Sequence, residues 1–186
     1  GGEPQNSLLL AHGVFMWLAW LVFAPLTTIA SRYFRDDPCV PAGNTPSWIQ
    51  LHKYGAMITI ALTILGFILS LVGVGNSGLR HVSSPHGKIG LSLIVMIVIQ
   101  NFFGVLRPPA DNPPVPFSFS LQALTKRRVW AVSHRIFALT MLTIGIAAVL
   151  TGSQRLESFD TRTRQGVVLS YSWVIIVGCL IIMYEI

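Results

Sequence analysis

Five long apolar stretches divide this chain, and each is long enough to cross the hydrocarbon layer as a helix, which takes about 20 residues. Helices are expected at about 8–32, 46–74, 84–106, 128–151 and 165–186. The fold class that follows is an all-α integral membrane protein: a five-helix transmembrane bundle, with residues 1–186 as one transmembrane domain. Charge supports this over a large soluble core. Only 11% of the residues are charged, against about 25% in an ordinary globular domain. That deficit suits a chain lying mostly in hydrocarbon, where a charge at a helix centre costs at least about 2.5–3.5 kcal/mol. Pro25 lies inside the first stretch and predicts a kink there, which membrane helices tolerate. Thr45-Pro46 and Ser84-Pro85 read as the N-cap and first position of helices two and three.

The net charge of +6 does not point to nucleic acid, because the basic residues lie between apolar runs and not in one patch. Such charge orients helices and contacts the headgroups of membrane lipid. With five spans the loops fall into two sets. One set holds Arg32, Arg35, Lys53, Arg107, Lys126, Arg127, Arg128 and Arg135; the other holds Arg80, Lys88, Arg155, Arg162 and Arg164. The richer set marks the cytoplasmic face, which puts the N-terminus outside or in a lumen and the C-terminal end in the cytoplasm. The Pro-rich stretch between Pro108 and Lys126 reads as a linker, with a weakly amphipathic alternative over Phe117, Phe119, Leu121 and Leu124. Cys39 and Cys179 have no metal-type spacing, and packing or spacer roles are expected of them. The chain opens without a methionine and stops inside an apolar run, so it reads as a segment of something longer.

Four histidines interrupt or border the apolar runs: His12, His52, His86 and His134. Any one of them alone is accounted for by a hydrogen bond to a neighbouring helix. As a set they obey a rule of direction, because each falls in the N-terminal part of its helix. Consecutive helices joined by short loops run antiparallel, so helices one and three start on one face and helices two and four on the other. His12 and His86 then share a depth near the outer face, and His52 and His134 share one near the cytoplasmic face. Imidazoles on facing helices are how a bundle gives a haem iron its two axial ligands. Zinc or copper needs a fuller ligand set, and no inward Asp, Glu or Cys stands near to complete one. Haem brings four nitrogens of its own and needs only the two. Two haem b groups in a four-helix core are therefore expected, with iron bound by all four histidines.

Glycines accompany these histidines: Gly13, Gly55, Gly87, Gly90 and Gly104. A porphyrin between helices needs backbone that approaches its face without side chains, although small residues also let membrane helices pack closely. In helix one roughly 16 residues separate His12 from the cytoplasmic level, about 24 Å at 1.5 Å per residue. The two irons would sit on the order of 20 Å apart, an arrangement suited to passing electrons across the membrane.

Ala11-His12-Gly13, Ser31-Arg32-Tyr33-Phe34-Arg35, Leu51-His52-Lys53-Tyr54-Gly55 and Pro85-His86-Gly87-Lys88-Ile89-Gly90 carry a resemblance. So do Gln100-Asn101 with Phe103-Gly104 before Arg107-Pro108, and Trp130 to His134. Over nearly its whole length the chain resembles the cytochrome b561 family, more the branch joined to an extracellular DOMON domain than the six-helix branch. The resemblance implies transmembrane electron transfer and the pairing of His12 with His86 and of His52 with His134. It also implies a small-molecule donor such as cytoplasmic ascorbate, and as acceptor a ferric or copper chelate, monodehydroascorbate or a fused haem domain. Lys53 and Arg135, each adjacent to a ligand, are then candidates to hold an anionic donor or a haem propionate, with Arg127 and Arg128 equally explained by membrane anchoring. On the outer face Arg80 and His81 are the corresponding candidates. Two other functions use the same histidines: a quinone-reactive dihaem subunit of a respiratory-type dehydrogenase, and a haem-free metal transporter or scaffold.

Overall fold

The structure is a computed structural model that describes residues 3–34, 47–78, 80–108, 126–157 and 164–185. Most of these residues are helical, with no strand among them. The first rod consists of α1 (Glu3–Trp17), a π-helical segment (Leu18–Phe23) and α2 (Ala24–Tyr33). It is followed by α3 (Ser47–Asn76), α4 (Pro85–Val105), α5 (Lys126–Glu157) and α6 (Arg164–Glu185). The first rod and α3, α4 and α5 each contain a helix long and apolar enough to cross a membrane, and α6 contributes a shorter apolar stretch over Val167–Gly178. Cys39, Thr45-Pro46 and the amphipathic stretch at Phe117 to Leu124 lie outside the described residues.

The chain belongs in a bilayer because its surface is apolar and its interior is partly polar. Val98, Phe102 and Val105 form an exposed stripe along α4, and Val132, Ile136 and Leu139 do the same on α5. Helical spacings of three and four put each trio on one face, and lipid is what such a face meets. Buried instead are Thr27, Thr59, Thr63, Gln100 and Ser170. The threonine hydroxyls close onto their own helices, Thr63 onto the Thr59 carbonyl at 2.7 Å and Thr59 onto that of Gly55 at 2.9 Å. Ala19, Trp20, Leu21, Leu93, Ile97, Ala148 and Val149 make the apolar centre. α3 packs along the first rod, α4 along α5, and α5 also meets α1, the π-helical segment and α6.

Pro25 explains the break in the first rod. A proline ring crowds the carbonyl four residues earlier and offers no N–H to it; here that carbonyl belongs to Leu21. The chain responds by widening just before the proline, where the Ala24 N–H reaches back to the Ala19 carbonyl. π-helical segments of this kind commonly mark functional regions. The Leu21 carbonyl receives a substitute donor, the Trp173 indole N–H of α6 at 2.6 Å. This bond and the contact of the Trp17 and Trp173 rings, 5.9 Å apart, tie α6 to the middle of the first rod. Interhelical hydrogen bonds in membranes average about 0.6 kcal/mol with a ceiling near 1.7. Trp173→Phe keeps a ring but removes the donor, and Pro25 cannot replace it, so the loss should fall toward the upper value. Unfolding in detergent should show the variant destabilised; stability equal to that of the parent would mean this bond does not hold α6.

At the other end of α3 the chain turns sharply. Val82 adopts φ 58°, a left-handed conformation that a β-branched residue takes only under constraint. The turn delivers Ser84 as the N-cap of α4, its hydroxyl accepting from the Gly87 N–H at 3.1 Å with Pro85 in the first turn. This cap fixes where α4 begins, and therefore the depth of His86.

Candidate functional site

The helices bring the four histidines together as two pairs, one toward each end of the bundle. His12 of α1 faces His86 of α4 with ring centres 6.1 Å apart and planes at 79°. His52 of α3 faces His134 of α5 at 6.3 Å and 67°. Two imidazole nitrogens bonded from opposite sides to one metal, at about 2 Å each, put ring centres about 6 Å apart. Direct imidazole–imidazole hydrogen bonding explains neither pair, as no such bond occurs among the described residues. A metal held by either pair would need further donors of its own, because no three of His, Cys, Asp and Glu gather among the described residues. A haem meets that requirement. α3 gives the vertical scale: it carries His52 and also Gly66, which touches His12, and these stand roughly 14 residues or about 21 Å apart along the axis.

Hydrogen bonds set which ring nitrogen is free. His12 Nδ1 lies 2.8 Å from the Gly66 carbonyl, and His52 Nδ1 lies 3.2 Å from the Thr27 carbonyl. A carbonyl only accepts, so each Nδ1 carries the proton and each Nε2 keeps its lone pair for a metal. Histidines that bind metals are oriented in this way by their surroundings. Two glycines make the approach feasible. A Cβ on Gly66 would stand 3.1 Å from Met16 and 3.3 Å from Phe15, and one on Gly55 would strike Thr27. Backbone therefore meets backbone where α3 crosses the first rod, close enough for carbonyls to reach imidazoles.

The partner histidines are held by different means. The His86 ring lies on Gly152, where an added Cβ would come within 2.8 Å of Cε1, and Thr151 Oγ1 is 3.5 Å from Nδ1. The backbone of Ala148 also hydrogen-bonds His86, and Arg155 lies near enough to act on its charge. His134 stacks on Trp130 at 4.9 Å with planes only 15° apart, and the Trp130 indole donates to the Phe103 carbonyl at 2.8 Å. Arg127 covers the Trp130 ring at 5.1 Å and donates to the Pro108 carbonyl at 2.6 Å. Gln100 brings its amide to both nitrogens of the His134 ring.

The glycines divide into two roles. Beside Gly13 and Gly90, next to the His12–His86 pair, there is open space within 4 Å of an added Cβ, as a macrocycle would require. Gly55 serves helix packing, Gly87 sits in the capped turn against Val82, and a Cβ added at Gly104 would stand 3.9 Å from His134 Cε1. The cations expected near the sites also separate. Arg135 lies close enough to act on the charge of His134. Lys53 lines a shallow pocket with Gln50, Tyr54 and Met57, beside His52. Arg80 and His81 are exposed, and His81 Nε2 leans back toward Gly75 at the end of α3. Arg155, Thr27, Gly66, Gly152, Thr151 and Trp130 are site residues that sequence reasoning did not assign. For Gly66 and Gly152 a signal existed, a glycine within a helical apolar run; for the carbonyl of Thr27 there was none.

Comparison with known proteins shows the family. Residues 11–160 match the family described as eukaryotic cytochrome b561. A cytochrome b561 domain-containing protein of Arabidopsis thaliana is 26% identical over 93% of this chain and 60% of its own length. Ferric-chelate reductase 1 of Mus musculus is 26% identical over 82% of this chain and 24% of its own. A second Arabidopsis thaliana protein, whose name joins cytochrome b561 to a DOMON domain, is 27% identical over 83% of this chain and 15% of its own. The chain thus spans between about one-seventh and three-fifths of the length of these relatives.

Proposed function

This chain belongs to the cytochrome b561 family, and on that premise we propose that it transfers electrons across the membrane with two haem b groups, one between His12 and His86 and one between His52 and His134. The observation that carries the reading is the double cross-helix pairing, with ring centres 6.1 and 6.3 Å apart. Haem supplies a one-electron iron couple, and two histidines per iron leave no open position for oxygen chemistry. The protein's own part is to hold the ligands in place. The Gly66 and Thr27 carbonyls keep His12 and His52 in the tautomer with a free Nε2. The lipid-facing stripes of α4 and α5 surround the interior with hydrocarbon.

In this reading residues 1–186 act as one transmembrane unit, with the N-terminus outside or lumenal and the C-terminal end cytoplasmic. With that orientation the pocket of Gln50, Lys53, Tyr54 and Met57 would face the cytoplasm. Its lysine, with Arg135 nearby on the same face, suits an anionic reductant such as ascorbate. On the opposite face Arg155, supported by Arg80 and His81, suits a haem propionate or an anionic acceptor. Relatives named as ferric-chelate reductases favour a ferric chelate in that role. The relative joined to a DOMON domain makes a fused haem domain a second acceptor, and monodehydroascorbate is a third.

Proteoliposomes with ascorbate inside and a ferric chelate outside test this function. External iron should be reduced by the parent protein, with the rate falling to the protein-free background in His52→Ala. Reduction of the bound haems by a quinol, with none by ascorbate, would instead identify a quinone-reactive subunit.

A further inference from the structure

We infer that Trp130 is the positioning residue for His134: stacked on the imidazole, it fixes the plane in which that ring meets its iron. The inference rests on the proposed bis-histidine ligation. An imidazole bonded to a metal through one nitrogen keeps one freedom, rotation about that bond, and its surroundings must remove it. At His12 and His52 a backbone carbonyl does so by binding Nδ1. At His134 the ring nitrogens meet the Gln100 amide nitrogen instead, at 3.2 and 3.3 Å. Nearly equal distances put that amide over the ring, where it does not direct an N–H lying in the ring plane.

Trp130 supplies the constraint. Its ring lies 4.9 Å from that of His134 with the planes 15° apart, a favourable offset stack. Residues four apart share a helix face, so α5 itself brings the two rings together. A ligating imidazole stands upright on its porphyrin, and a ring parallel to it stands alongside without competing for the iron. Trp130 is itself held at two points. Its indole N–H donates to the Phe103 carbonyl at 2.8 Å, one of the last four of α4, which the helix leaves without an internal partner. Arg127, three residues earlier in α5, has its guanidinium 5.1 Å from the Trp130 ring centre and donates to the Pro108 carbonyl at 2.6 Å. The end of α4 thus fixes the indole, and the indole fixes the imidazole. The planes of His52 and His134 stand 67° apart. That angle governs how the π-orbitals of the two rings overlap the iron d-orbitals, and the ferric low-spin EPR signal reports it.

The test is the ferric EPR spectrum of the purified, haem-loaded protein, with its rate of haem loss to excess apomyoglobin, for the parent and two variants. Trp130→Leu keeps an apolar side chain and removes the flat face. It should broaden and shift the signal of one haem, leave the other in place, and speed loss of the affected haem about tenfold. Trp130→Phe restores a flat face and should give a signal closer to the parent's than to that of Trp130→Leu. An unchanged signal in Trp130→Leu, equal shifts of both haems, or a Trp130→Phe indistinguishable from a shifted Trp130→Leu would overturn the inference. If Trp130→Leu purifies without the haem at that end, Trp130→Phe decides: a retained haem with a parent-like signal supports the role, and any other result refutes it. His134→Ala separates this from the ligation itself. Two haems retained there would defeat the ligand assignment; one haem lost there, with the Trp130→Leu signal unshifted, would defeat only the role of Trp130.

Discussion

Replacing His12 or His86 with alanine is expected to remove one haem from the purified protein and to leave the other with its spectrum intact. The two histidines belong to one pair, and His52 of the other pair lies about 21 Å along α3 from Gly66, which His12 touches. Loss of even an outer-shell partner of a metal ligand typically costs 10–100-fold in affinity or activity, and removal of the ligand itself should cost more. His52→Ala and His134→Ala should produce the reciprocal result, keeping the haem that the first pair loses. The pyridine haemochrome content of each variant, with circular dichroism to show retained helix, checks the pattern. Loss of both haems from a folded His12→Ala would argue against two separate sites.

The second large effect is structural. Trp20 is wholly buried and lies against Gly145, where an added Cβ would overlap the indole ring. Gly145→Ala has two opposing consequences. Alanine gains about 1 kcal/mol of helix propensity over glycine, whereas overpacking a filled core costs about 1–3 kcal/mol. The clash should win, because it is with a rigid ring that has no exposed side to move toward. Thermal unfolding in detergent should therefore show Gly145→Ala destabilised. Trp20→Leu in the same chain should restore much of the loss by making room. Gly178→Ala is the control: nothing stands within 4 Å of its added Cβ, so propensity alone should make it neutral or slightly stabilising.

Much of this architecture is legible in the residues, for identifiable reasons. Apolar runs of membrane length leave few folds open, since every backbone polar group in hydrocarbon must be satisfied within the segment. His12, His52, His86 and His134 each lie early in a helix, and antiparallel succession alone then sorts them into the two pairs that face each other. Other features depend on contacts between helices that no local pattern encodes. Pro25 marks a disturbance, but the widening falls before it, over Leu18–Phe23, and its remedy comes from Trp173 on a distant helix. Gly66 and Gly152 look like ordinary packing glycines until the crossing angle places an imidazole against each. Gln100 reads as one polar residue in an apolar stretch, and its relation to His134 depends on the depth at which α4 and α5 meet. Arg155 was counted for its side of the membrane, whereas its closeness to His86 comes from the extent of α5, which runs on to Glu157.

The central claim, two bis-histidine haems in one chain, is tested most directly by the haem-to-protein ratio of the purified protein together with its reduced-minus-oxidised spectrum. The expected result is two haem b per chain, a reduced b-type α-band and a low-spin ferric state that does not bind carbon monoxide on reduction. A protein that folds with no reduced α-band, or with one haem that binds carbon monoxide, would contradict it.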